Sequence, residues 1–228
     1  MSYDLYAEKP EGDVVTQLRL LVCEDSITAA KTFVELVHGR RERDGSLPPS
    51  KYDCFIGDTK SHYLKPLGFI PSSPDLSALP PGSWFLQFTF TLAKPWISKD
   101  DDPFYVAESV NPVRKDKVFK VPMMSAASWK GLLRWTAMHT RLALQKNQLT
   151  ADQFARERLV QTLLFGDEKG EEPGQTKDLA AYLDDLGGKE ARKLYVQKVR
   201  KRFHLEEKAE MPHHSGRLMF YPTFFDQI

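Results

Sequence analysis

The chain has 228 residues, with 32 Lys and Arg against 31 Asp and Glu and a formal net charge of +1. Hydrophobic residues make up 41% and aromatics 11%, enough for a real core in one large domain or two small ones. So small a net charge excludes a protein that coats nucleic acid over its whole surface, and any polyanion site must come from local segregation of charge.

The opening MSYDLYAEKPEGD lacks an apolar signal region, and no later run approaches the roughly 18 apolar residues of a membrane span. Cys23 and Cys54 sit in no CxxC or metal-ligand spacing, so reduced thiols, a cytoplasmic location and no membrane partner are expected. Residues 14–22 (VVTQLRLLV) are β-branched and apolar and predict a strand. Asp25 or Ser26 then caps a helix that runs to about Val37 and ends at Gly39. Residues 40–82 are dense in Pro, Gly, Ser and charge, which predicts loop and linker with a domain boundary near residue 82.

The alternation in WFLQFTFTL (84–92) predicts a half-buried strand. An acidic loop around Asp100 to Asp102 follows, then the extended FYVAESV and the basic NPVRKDK. Pro112 and Pro122 argue against helix here. A helix is expected from Ser128 to about Lys146, and another over TADQFARERLVQTLLFG with Thr150 as N-cap and Gly166 as C-cap. Its Phe154, Leu159, Leu163 and Leu164 are predicted to share one face. A short helix at 177–186, a basic helix at 189–202 and a closing strand in RLMFYPTFF complete the reading.

Basic charge is segregated in two places. Residues 111–120 carry Arg114, Lys115, Lys117 and Lys120 against Asp116, and residues 189–202 carry seven Lys and Arg against Glu190. The first runs into a predicted helix start bearing Ser125, Ser128, Lys130 and Arg134. Unpaired N–H groups and the positive dipole end at such a start suit a polyanion. The same residues also fit a plain structural role, in which a serine caps a helix whose Leu132, Leu133, Trp135 and Met138 face a core.

A family resemblance rests on four short motifs in order. NPVRKD resembles the DxPVIRD element, and MSAASWKGLLR resembles the IPGSSLKGxLR element, of the RAMP superfamily of CRISPR effector proteins. LLFGD (163–167) resembles that family's LFG, and GRLMF (216–220) its GRLxF. The resemblance covers residues 84 to about 225. It implies an α+β fold with an RRM-like or ferredoxin-like βαββαβ core, a helical basic insertion at about 168–215, and an N-terminal α/β segment (1–82) with no match. It also implies that the core is incomplete in this chain, since family members continue past GRLxF.

By the same resemblance the chain is a backbone subunit of a type III antiviral ribonucleoprotein. Its implied partners are guide RNA, target RNA and other effector subunits. The expected RNA-binding residues are Asn111, Arg114, Lys115, Lys117, Ser125, Ser128, Lys130 and Arg134, with Lys198, Arg200, Lys201 and Arg202 in the basic helix. Cleaving relatives carry an aspartate two residues before the loop proline, where this chain has Val110. A hydrocarbon neither ligates a metal nor orients water, so no cleavage and no cofactor are expected. Glu108 and Asp102 are the substitutes through which magnesium would act if cleavage occurred.

Two alternatives stand beside this reading. One is a guide-RNA-processing endoribonuclease with His38 as acid/base. The other is an assembly subunit that touches only protein, with Trp129 or Trp135 at an interface. Walker, GxGxxG, GxSxG and HExxH motifs are absent, which leaves nucleotide hydrolysis, dinucleotide binding and common hydrolase chemistry without footing.

Overall fold

Asp13 is the N-cap of the first described helix: its Oδ1 accepts hydrogen bonds from the Val15 and Thr16 amides, and helix α1 (Val14–Cys23) follows. A computed structural model describes residues 13–24, 26–70, 72–94, 96–98, 113–167, 179–206, 209 and 213–226. The strand expected at 14–22 is therefore a helix. Val15 and Leu18 are buried and Leu21 and Val22 half-buried, so the three- and four-residue spacing of apolar side chains decides the outcome over β-branching. Helix α2 (Ile27–His38) starts at Ser26, whose Oγ accepts from the Ala29 amide, and ends at Gly39 as expected.

The expected linker also holds a helix, α3 (Lys51–Thr59). Ser50 and Asp53 form a reciprocal capping box at its start. It widens into a π-type turn, Lys60–Leu64, that buries Leu64. By contrast, residues 84–92 stand extended but pair with no strand among the described residues, and Trp84, Leu86, Phe88, Phe90 and Leu92 are exposed.

Residues 114–123 form a tight hairpin. The Asp116 and Met123 amides donate to Val121 O and Arg114 O at 2.8 Å each. Asp116 Oδ1 accepts from the Val118 and Phe119 amides, which fixes the turn. Lys120, in the left-handed region at φ 57°, has its carbonyl held by the buried Tyr52 hydroxyl. The hairpin leads into β1 (Met123–Met124), which pairs antiparallel with β2 (Thr223–Phe224), Met123 opposite Phe224.

Helix α4 (Ala126–Met138) begins two residues before the expected Ser128, and a π-type turn (His139–Ala143) ends it short of Lys146. Helix α5 (Ala151–Phe165) has the expected caps, Thr150 in a capping box with Gln153 and Gly166 at its end. Its buried face is more polar than expected: Arg158, Gln161 and Thr162 are buried with Phe154, while Leu159, Leu163 and Leu164 are half-exposed. Helix α6 (Leu179–Arg202) breaks into two arms at Gly188, where φ is 77°. Its second arm is the expected basic helix. Strand pairing in RLMFYPTFF is confined to Thr223 and Phe224.

The chain divides into two compact units, residues 1–125 with 221–228, and residues 126–220. The first has its core around Leu18, Phe33, Val37, Tyr52, Ile56, Leu64, Val121 and Phe224. The second gathers Met138, Leu142, Phe154, Leu183 and Ala191. Burying one such leucine completely stabilises by roughly 2 kcal/mol. The described residues are thus α-rich with one two-stranded antiparallel sheet, and they do not display a βαββαβ core. None of their helices is long and apolar enough to cross a membrane.

Candidate nucleic-acid interface

In the second unit, three of the four motifs meet. The amides of Arg217 and Leu218, in GRLMF, donate to Leu163 O and Leu164 O at 3.0 Å each, and Asp167 N donates to His214 O at 3.0 Å. Gly166 and Gly216 face each other across this junction. A Cβ on Gly166, at φ 90°, would lie 2.9 Å from both Gly216 N and His214 O. A Cβ on Gly216 would lie 2.5 Å from Gly166 N and nearer still to Leu164 O. Two backbones this close require glycine on both sides.

From α4, Arg134 reaches the same junction. Its guanidinium donates to Asp167 O at 2.9 Å and Gly166 O at 3.2 Å. Asp167 Oδ2 in turn accepts from the His214 amide at 2.7 Å, and Phe165 stacks on Phe220 at 6.2 Å between centroids. Arg134 therefore satisfies carbonyls at the end of α5, as a cation near a helix C-terminus should. The sequence reading, which aims it at phosphate, missed this structural task. The glycines of LFGD and GRLMF were the available signal, since each marks a close backbone approach.

Further along the same helix pair, the end of α6 and the outer face of α5 enclose a groove of about 420 Å³ lined by Arg156, Leu159, Lys198, Lys201, Arg202 and His204. Lys198 Nζ pairs with Asp152 at 2.6 Å, and Arg156 Nε pairs with the same carboxylate at 2.7 Å. The Lys198 hydrogen bond, followed by the charges of Arg156 and Lys198, holds the Asp152 carboxyl below the ordinary carboxylate range. One acid thus faces four permanent cations, and Lys201 and Arg202 are exposed. Arg200 is turned the other way, its guanidinium donating to Glu206 O and, at 3.0 Å, to Ala209 O. The groove brings together Lys198, Lys201 and Arg202 of the expected set and adds Arg156 and His204, which the sequence reading passed over.

Underneath, the helix pair is joined by a buried cation. Arg158 Nη1 pairs with Asp184 at 2.6 Å, and its guanidinium lies 4.3 Å from the centre of the Tyr195 ring. Tyr195 in turn shares a 2.9 Å hydroxyl bond with Thr162.

The remaining expected residues fall into two groups. In the first unit, Arg114 and Lys117 are exposed on the hairpin, and Ser125 directly precedes α4. Lys115 is buried, with Nζ donating to Val113 O at 3.1 Å. In the second unit, Ser128 is exposed and Lys130 half-buried in the first turns of α4. Asn111, Val110, Glu108 and Asp102 lie outside the described residues. His38 is exposed in the last turn of α2.

Compared with protein-family models, curated proteins and solved structures, the chain matches none. The groove is cationic: point charges on a helix end, one carboxylate already engaged, and a half-buried leucine in its lining. Such a surface favours an anion by charge.

Proposed function

We propose that this chain binds the sugar-phosphate backbone of a guide RNA as a structural subunit of an RNA-guided type III CRISPR complex, and that it does not itself cut target RNA. The observation that carries the reading is the meeting of Arg134, the LFGD segment and the GRLMF segment in one junction. Three chance matches to short patterns have no reason to find one another in space. In this reading an RRM-like core assembles around β1, β2 and the extended segment 84–92, with the α6 basic arm as the insertion. Arg134 then positions the end of α5, and phosphate contact falls to Ser128, Lys130, Lys201 and Arg202.

The test is a binding titration of the full chain with unrelated single-stranded RNAs over a range of salt. Each phosphate contact removed should flatten the log-log salt dependence by about 0.7. A Lys130→Ala, Lys201→Ala, Arg202→Ala variant should therefore lose affinity by a similar factor for every RNA, with a slope shallower by about 2. Unchanged affinity and slope in that variant would refute the reading and favour an assembly role.

A further inference from the structure

The first unit carries a concave surface apart from the junction where three of the motifs meet. It is a cavity of about 390 Å³ between α1, α3 and the hairpin turn, lined by Arg19, Phe55, Tyr63 and Lys117 to Lys120 among others. Tyr63 sits on the π-type turn after α3. It is 56% exposed while its neighbour Leu64 is fully buried. Extra-residue turns of this kind concentrate at functional sites because they turn a side chain out of the helical register.

The Tyr63 ring is supported from behind. It stacks on Phe119 with centroids 6.2 Å apart and planes 28° apart, and Phe119 meets Phe69 edge-on at 5.9 Å. Phe119 is itself fixed by the Asp116 turn and by the Tyr52 hydroxyl on Lys120 O. Tyr63 is thus a braced aromatic ring with an outward face. Two exposed cations, Arg19 on α1 and Lys117 on the hairpin, border it. The acid at the rim, Asp13, is engaged with the Val15 and Thr16 amides and the Thr16 hydroxyl at the start of α1.

We infer that this surface holds one nucleotide of a single-stranded RNA, the base stacked on Tyr63 and its flanking phosphate between Arg19 and Lys117. The inference rests on the RNA reading above and adds to it a base-stacking site in the first unit. Ring plus cation is the combination by which proteins hold unpaired strands without reading sequence. An apolar peptide would fit worse, because it brings no acceptor for the exposed Lys117 ammonium as water is displaced.

The experiment compares the full chain's affinity for a labelled oligoadenylate and for an abasic strand of equal length. Tyr63→Ala should weaken oligoadenylate binding roughly tenfold and leave the abasic strand unchanged. Tyr63→Trp should restore it, because the ring and not the hydroxyl does the stacking. Arg19→Ala with Lys117→Ala should weaken both strands. An oligoadenylate affinity unmoved by Tyr63→Ala, or an equal loss on both strands, overturns the stacking site. The Lys130, Lys201, Arg202 variant separates the two ideas. If it binds normally while Tyr63→Ala does not, the backbone grip falls and this site stands. If wild-type protein binds neither strand, both fall.

Discussion

Replacing Gly216 by alanine tests whether the motif junction is a structural clasp. The added methyl would sit 2.5 Å from Gly166 N, where ordinary contact begins near 3.4 Å, so the two segments must separate by about 0.9 Å. The Arg217 and Leu218 hydrogen bonds to Leu163 O and Leu164 O, now 3.0 Å each, would stretch to about 3.9 Å and cease to be bonds. Two lost hydrogen bonds at about 1 kcal/mol each, with at least 1 kcal/mol for displaced packing, come to about 3 kcal/mol. Hydrogen exchange reads this directly. Protection of the Arg217 and Leu218 amides should fall about a hundredfold. Gly131→Ala is the control, because nothing lies within 4 Å of a Cβ there. In mid-helix it should stabilise α4 by up to about 1 kcal/mol. Protection of the two amides within twofold of wild type in Gly216→Ala would refute the close approach and the role given to both glycines.

Two further perturbations address the α5–α6 pair. Arg158→Ala should destabilise by about 3 kcal/mol in chemical denaturation, since among the described residues it leaves Asp184 only the longer Arg192 contact of 3.3 Å. Arg158→Lys should recover less than half of that, because an ammonium cannot fork between Asp184 and the Ala180 carbonyl. Asp152→Asn should raise RNA affinity by releasing Lys198 and Arg156. The Asp152 carboxyl is lowered from 3.8, so its link to α6 is complete above that pH and fades as the pH falls through the lowered value. The stability difference between wild type and Asp152→Asn should therefore persist at pH 5 and vanish only in stronger acid. Its loss above pH 5, followed by thermal unfolding, would contradict the sign of the shift.

Local capping chemistry was the most legible part of the chain. Ser26, Thr150, Gly39 and Gly166 punctuate helices as their side chains and φ preferences dictate, and the α6 break falls in the Gly187-Gly188 pair. Two helices were misread for opposite reasons. In VVTQLRLLV the residue types suggest strand while the spacing of Val15, Leu18 and Val22 suggests helix, and spacing prevails because one face is buried. In KYDCFIGDT the composition is too polar to attract notice, yet Ser50 and Asp53 spell a capping box and Tyr52 and Ile56 stand one turn apart. The candidate site was legible in its charge but not in its direction. Sequence spacing shows that Lys198, Lys201 and Arg202 can share a helix face. It cannot show that Arg134 and Arg200 spend their guanidinium groups on carbonyls, because those acceptors are far along the chain or beyond a helix end.

The chain order of the two units has a consequence for synthesis. Residues 126–220 are inserted within the first unit, and Phe224, a member of that unit's core, pairs with Met123 from across the insertion. On the ribosome the inserted unit is complete before the strand that closes its host has emerged. Domains generally fold as they appear, so the later part of the chain is ready first, and the earlier part waits for its last strand.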